Sequence, residues 1–286
     1  MGLWAVRLVV RTQYRFFLAP FCWVVIAFTG YAIWRYTGAD IEYAARLELL
    51  QILLYAAVFF AVLDNLSGQE TIQIILFTLV FVAMLNAFYG VYQYFTEGKW
   101  VLNYPKPEMY KGRGSGTYIC PNHLAGLLEM VLPIALAYTI TGRLKPLTKV
   151  FLAYAAVALL AGIGVTLSRG GYLAPGGALA VLFLSPLWNR DFRIPAIGLL
   201  VVLIAAGSFF GFRSMQAQVR FWQLDQVNSR ALFWKPAVEI WQENLWTGAG
   251  PNHYDWRFRQ HRHWLAQKRP VYTHNDYLNT LADYGT

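Results

Sequence analysis

Four clusters of polar residues break an otherwise apolar chain, and each carries side chains suited to an anion or to proton transfer. The first is Arg113-Gly114-Ser115-Gly116-Thr117, which runs through Pro121-Asn122-His123 into an apolar stretch. A helix N-terminus offers free N–H groups and a positive dipole end, so a phosphate is one reading of this cluster. The other is an ordinary helix start after a glycine-rich loop, with Asn122 as its N-cap. The second cluster is Ser168-Arg169-Gly170-Gly171, squeezed between two apolar runs. Arg169 is either an anchor that snorkels to the bilayer surface or a fixed cation there. Glu129, roughly two turns into the apolar run that follows the first cluster, needs a partner in lipid, and a structural ion pair with Arg169 would supply one.

The third cluster, Asn228-Ser229-Arg230, opens an amphipathic run from Ala231 to Trp241. The dipole does not favour arginine near a helix start, so its charge is either used elsewhere or simply solvated. The fourth, Thr273-His274-Asn275-Asp276, opens the final helical run, Asn275 to Tyr284. A neutral imidazole can accept a proton, and Asp276 would either orient it or favour the helix start. His253, His261 and His263 raise the question of a metal, but Arg257, Arg259, Arg262 and Lys268 around them oppose a cation. No metal site is expected. Cys22 and Cys120 have neither metal-ligand spacing nor a disulfide framework, and no HExxH, DxD, EF-hand or GxSxG pattern occurs.

The elements that must hold these clusters are set by the solvent. The chain is 57% hydrophobic and 14% charged, against roughly 45 to 50% and about 25% in a soluble domain, so a membrane is expected. Seven helical spans follow from the apolar runs Phe16 to Trp34, Leu47 to Leu63, Thr71 to Phe95, Asn122 to Thr141, Val150 to Leu167, Tyr172 to Trp188 and Ile194 to Phe212. Helices are required because a span must satisfy its own backbone hydrogen bonds in lipid. Arg7, Arg11 and Arg15, then Arg143, Lys145 and Lys149, then Arg190 and Arg193 fall on one side, which places the amino terminus in the cytoplasm. The loop from Asp64 to Glu70 has no positive residue and lends that rule no support.

Alternation then puts all four clusters on the outer face. The expected organisation is residues 1–95 as amino-terminal spans, 96–121 as an external loop, 122–212 as further spans and 213–286 as a large outer helical domain. Trp222, Trp234, Trp241, Trp246 and Trp256 suit a surface lying at the headgroups. The chain ends in the middle of a helical run, so further spans are expected beyond it. A net charge of +9 does not imply nucleic acid, since the basic residues lie in loops between spans and form no recognition helix.

Taken in order, Arg113 with Gly116-Thr117-Tyr118 and Pro121 to Gly126, then Ser168 to Gly171, then Asn228 to Arg230 with Trp234, then Gly248-Ala249-Gly250, then His274 to Leu278 resemble the O-antigen ligase and polymerase family. The resemblance implies an all-α, polytopic membrane glycosyltransferase that moves a glycan from a polyprenyl diphosphate to an acceptor hydroxyl in the periplasm of a bacterial cell. It implies no cofactor, nucleotide sugar or metal. By its pattern Arg169 and Arg230 hold the donor diphosphate and His274 acts on the acceptor, while Arg113, Asn122, His123, Asn228 and Asn275 are candidates for contacting substrate. Lipid A core, another glycan repeat and a protein hydroxyl remain open as acceptors. Two other classes stay open from the residues alone. One is an anionic-lipid transporter or flippase, although such proteins place polar groups near the midplane. The other is a scaffold that binds a partner through its tryptophans.

Overall fold

The computed structural model describes residues 19–66, 68–168, 170–172, 175–177, 197, 201, 225–263, 266 and 270–286. Eight helices are defined over them: α1 (Pro20–Thr37), α2 (Glu42–Asn65), α3 (Gln69–Phe95), α4 (Pro121–Ile140), α5 (Pro146–Thr166), α6 (Asp225–Glu243), α7 (Tyr254–His261) and α8 (Asp276–Tyr284). A two-residue hairpin ladder, Trp100–Val101 with Tyr104–Pro105, interrupts the link between α3 and α4. The protein is thus an all-α membrane protein. By length and composition α2, α3, α4 and α5 can each cross a bilayer, and their bounds lie within a few residues of four expected spans. The first expected span matches α1, which is not among those four helices: Trp23, Tyr31, Trp34, Arg35 and Tyr36 dilute its apolar character. The two expected spans after Tyr172 lie outside the described residues.

The chain divides into two compact units, Gly68–Phe221 and Met1–Ser67 with Trp222–Thr286. In the first, α3, α4 and α5 pack through a seam of leucines and small residues. Leu124, Leu128, Leu132, Leu136 and Leu159 are fully buried, against Ala83, Ala87, Ala155 and Ala156. At Gly162 an added Cβ would lie 2.7 Å from both the Ala87 Cβ and a Leu128 methyl. Helices in lipid gain by van der Waals contact rather than by burial from water, so small residues that let backbones approach are what such a seam requires.

In the second unit α1 packs on α2, and α6, α7 and α8 form a small helical cluster around Ala237, Ile240, Tyr254, Phe258, Ala266 and Ala282. Polar contacts join the cluster to the α1 end. The Ile41 N–H donates to His253 Nε2 (3.1 Å), Arg257 pairs with Asp40 (2.7 Å) and Arg35 donates to the Gly248 carbonyl (3.1 Å). The outer segment therefore shares a unit with α1 and α2. The sequence alone had assigned those two helices with α3.

Candidate active site

In the Gly68–Phe221 unit, the glycine-rich loop closes the carboxyl end of α5. Arg113 Nε donates to the Thr166 carbonyl (2.8 Å) and Nη2 to the Leu167 carbonyl (3.4 Å), while the Gly114 N–H donates to Val165 (2.8 Å). The last carbonyls of a helix have no partners within it, and a cation there also complements the dipole. Gly114 is required by crowding: a Cβ would lie 2.5 Å from the Gly90 carbonyl oxygen. Buried Gln93 pins the loop from α3, accepting from the Ser115 N–H (3.0 Å) and donating to the Gly116 carbonyl (3.0 Å). Asn86 Oδ1 accepts from the Thr117 hydroxyl (2.6 Å) and N–H (3.3 Å). The N–H groups of Gly114, Ser115 and Thr117 are thus bonded to the protein itself.

Asn122 is not the N-cap. Pro121 occupies the first helical position, which suits its missing N–H, and this makes Cys120 the cap. The freed Asn122 Oδ1 accepts from Arg113 Nη2 (3.0 Å). His123 is exposed, with its ring edge-on to Tyr118 at 6.4 Å. Burial draws the Arg113 guanidinium below its ordinary pKa, against the pull of Cys120 and Tyr110. Lys106, buried beneath and donating to the Arg113 carbonyl (2.8 Å), is lowered by burial and by the Arg113 charge. Arg169, the proposed partner of Glu129, lies outside the described residues. Among the described residues no ion pair reaches Glu129.

The other unit holds a second polar constellation. Helix α6 begins at Asp225 rather than at Ala231, so Asn228 and Arg230 sit within its first two turns. Arg230 is exposed. Three and four residues on, Phe233 meets the His274 ring at 6.1 Å and Trp234 Nε1 donates to the Thr273 carbonyl (3.2 Å). Residues three and four apart share a helix face, with Cβ atoms roughly 5 to 6 Å apart. Arg230 and His274 therefore belong to one surface.

His274 is exposed and adopts a left-handed backbone, φ +55°. Its neighbours hold that conformation. Fully buried Thr273 donates its hydroxyl to the Asn275 carbonyl (2.5 Å), and its oxygen accepts from the Asn275 N–H (3.1 Å). Asn275 caps α8 by accepting from the Leu278 N–H (3.3 Å), so its side chain faces the helix start. Asn279 accepts from the Thr273 N–H (3.2 Å) and donates to Asp283 Oδ2 (2.8 Å). Asp276 stands in the first turn, where its charge favours the helix start.

Asp283, 1% exposed, accepts on its other oxygen from the N–H groups of His253 (3.1 Å) and Tyr254 (2.8 Å), capping α7. Burial, aided by the Glu48 charge, outweighs these donors and pushes its carboxyl up to about 8. The Gly248-Ala249-Gly250 turn wraps the end of the same helix: the Ala249 and Gly250 N–H groups donate to Ala282 (2.8 Å) and Asp283 (3.0 Å). Gly248 has φ +64°, and a Cβ there would lie 2.4 Å from the Asp283 carbonyl carbon.

His253 is structural. Its Nε2 accepts from Ile41, so Nδ1 carries the proton and donates to the Pro251 carbonyl (2.7 Å). Burial draws its pKa below the ordinary value. His261 faces Glu239 and Glu243 of α6 at 3.6 and 3.4 Å. The sequence reading missed Asp283, Gln93 and Asn86; a carboxylate at the end of an amphipathic run was the signal available for the first.

A family model described as O-antigen ligase matches residues 128–286, more than half of the chain. The chain belongs to the O-antigen ligase family. Neither a curated protein nor a solved structure matches it. Membership in the O-antigen ligase family makes the function one of the membrane glycosyltransferase or ligase kind. It carries lipid-linked glycan donors and glycan acceptors in general terms, within polysaccharide biosynthesis. The matched region contains Arg169, Asn228, Arg230, His274 and Asn275, whereas Arg113, Asn122 and His123 precede it.

Proposed function

We propose that this protein moves a glycan from a polyprenyl diphosphate to an acceptor hydroxyl at the outer face of the bacterial inner membrane, without a metal. The observation that carries this reading is the surface shared by Arg230 and His274, with α6 supplying Phe233 and Trp234 to the turn that bears the histidine. The acceptor oxygen attacks the anomeric carbon of the donor sugar and its proton passes to the His274 imidazole. The sugar to phosphate bond breaks, and its electron pair leaves on the carrier diphosphate. Arg230 and Arg169 hold that diphosphate; guanidinium forks bind phosphate oxygens by paired hydrogen bonds and stabilise the leaving charge where other transferases use an ion. Asn228 and Asn275 stand beside these groups in sequence and are proposed to contact substrate. Arg113, with Asn122, supports the fold of its loop.

The bonds from Asp40 and Ile41 to Arg257 and His253 support the proposed topology. An even number of crossings between the α1–α2 turn and the outer segment, as proposed, accords with these bonds. Four come from α2 to α5, and two more are proposed within residues 172–212. With a cytoplasmic amino terminus the segment 213–286 is then periplasmic, as is the loop 96–121.

The test is transfer by the purified protein in nanodiscs, given labelled polyprenyl diphosphate glycan and acceptor, with release of carrier diphosphate measured. Wild type releases carrier, and Arg169→Ala and His274→Ala each abolish most of that release. Unchanged release in both variants overturns the assignment.

A further inference from the structure

Helix α6 has a second side. Phe233 and Trp234 meet the His274 turn, and Ala237 and Ile240 enter the core. Leu232, Lys235, Pro236 and Glu239 recur at helical spacing on another side. A cavity of about 390 Å³ opens between that side and the stretch from His261 to His263 at the end of α7. Its size falls within the roughly 300 to 1,000 Å³ of small-molecule pockets. Ala231, the residue after Arg230, also lines it and is exposed. Contacts within the protein hold both walls. His261 stands 3.6 Å from Glu239 and 3.4 Å from Glu243, which ties the end of α7 to α6. Arg262 Nε donates to the Ala266 carbonyl (2.6 Å), and the Ala266 N–H donates to the His263 carbonyl (2.9 Å).

The lining joins an apolar floor to polar groups with capacity to spare. Leu232 is half-buried and Pro236 buried, and they supply the floor. Pro236 lies inside the helix and has no N–H, so the Leu232 carbonyl lacks its helical donor. That carbonyl sits between two residues that both line the cavity. Glu239 is 3.9 Å from Lys235 and 3.6 Å from His261, ion pairs too long to be hydrogen bonds, so its oxygens are open to a donor. Beyond Nε, the Arg262 guanidinium makes no hydrogen bond or ion pair with another described residue.

We infer that this cavity is a remote glycan subsite, which holds a sugar ring away from the reacting bond, an inference that rests on the glycan-transfer reading. The C–H face of the ring packs on Leu232 and Pro236. Its hydroxyls donate to Glu239 and the Leu232 carbonyl and accept from Arg262 and Lys235. An anion gains little, because Glu239 and Glu243 offset the two cations. A metal cation meets Lys235 and Arg262, and a wholly apolar ligand would strip water from all these groups without replacing its bonds. A helix with its side chains is about 10 to 12 Å across, so a glycan of several sugars that starts at the His274 face reaches the other side of α6. Contacts so far from the reacting bond tighten binding of a long glycan and do nothing for a short one. The ring belongs to the lipid-linked donor or to the glycan acceptor; both present the same hydroxyl chemistry.

The experiment measures binding of three probes to the protein in nanodiscs: polyprenyl diphosphate carrying the cell's complete glycan repeat, the same lipid carrying one sugar, and the free acceptor oligosaccharide. Ala231→Trp fills the cavity from an exposed position. It is expected to weaken the complete lipid-linked glycan or the free oligosaccharide about tenfold. Binding of the one-sugar lipid, carrier release from it and the thermal midpoint should all match wild type. Lys235→Met, at a side chain 77% exposed, checks the loss without added bulk and should weaken the same probe several-fold. Loss with the complete lipid-linked glycan assigns the subsite to the donor, and loss with the free oligosaccharide assigns it to the acceptor. Equal losses on the complete and one-sugar lipids, or no loss on any probe, overturn the subsite while glycan transfer stands. If wild type binds none of the three and releases no carrier, the glycan-transfer reading fails and the subsite fails with it.

Discussion

Arg113 and Arg230 are the same residue type in opposite circumstances. The Arg113 guanidinium is half-buried and closes the end of α5 through the carbonyls of Thr166 and Leu167 and the Asn122 side chain. Arg230 is exposed on α6, on the face that presents Phe233 and Trp234 to the His274 turn. The two regions also differ in how they manage glycine. At Gly114 a close backbone approach is what matters, and the loop amides bond inward; at Gly248 a left-handed turn clamps α8 and leaves His274 at the free end of that helix. An arginine beside glycines is thus no guide to anion binding until its donors are traced.

The largest expected effect separates the regions by activity. His274→Asn keeps a residue type that tolerates the left-handed backbone and removes the proposed base, so glycan transfer is expected to fall by about 10² to 10⁴ in kcat. Its thermal midpoint should match wild type. Arg230→Ala should behave alike, with a loss of about 10² to 10³, the scale for one charge-stabilising donor. A wild-type rate in both variants would erase the distinction drawn between the regions.

Next in size is the converse at the first region. Arg113→Ala strands two helix-terminal carbonyls and Asn122, at a cost of about 2 to 3 kcal/mol. The measurement is the thermal midpoint, which should drop clearly, whereas transfer per folded molecule should stay within a few-fold of wild type. If the midpoint holds and transfer collapses, Arg113 contacts substrate after all.

A smaller effect comes from pH. The Asp283 carboxyl moves from 3.8 to about 8 on folding, so between those values the folded state binds more protons and stability falls as pH rises. Buried His253 has its pKa lowered, and it acts with the opposite sign only below the ordinary histidine value of about 6.5. The clean window is therefore pH 6.5 to 8. There the wild-type thermal midpoint should decline with pH, and Asp283→Asn should remove that slope. A flat wild-type profile would contradict the buried, protonated carboxyl.

What the sequence made legible follows the range of the interaction. Apolar runs are local, and four of them became α2 to α5 within a few residues. Arg230 and His274 stand out in the sequence because each sits where lipid or a core offers no reason for it, and the roles given to them are proposals. Gln93, 22 residues from Ser115, and Asp283, 30 from His253, were not, because their partners are set by packing rather than by any period along the chain. Asn122 was misread for a local reason: Pro121 moved the helix start by one residue and gave the asparagine to Arg113 instead.

The smallest effect tests whether α6 couples the arginine to the histidine or only lies beside it. Trp234→Phe keeps an aromatic ring in place and deletes the indole N–H that reaches the Thr273 carbonyl at 3.2 Å. One neutral hydrogen bond is worth about 1 kcal/mol, so stability should change little. The turn bearing His274, however, would lose its link to the helix bearing Arg230, and a small displacement of the proposed catalytic imidazole is costly because its geometry must hold through the transition state. The expected outcome is a fall of several-fold in kcat with KM nearly unchanged, since ground-state contacts of donor and acceptor are retained. A rise in KM alone would instead make Trp234 a binding surface, and Arg230 and His274 would then act as separate elements of one face.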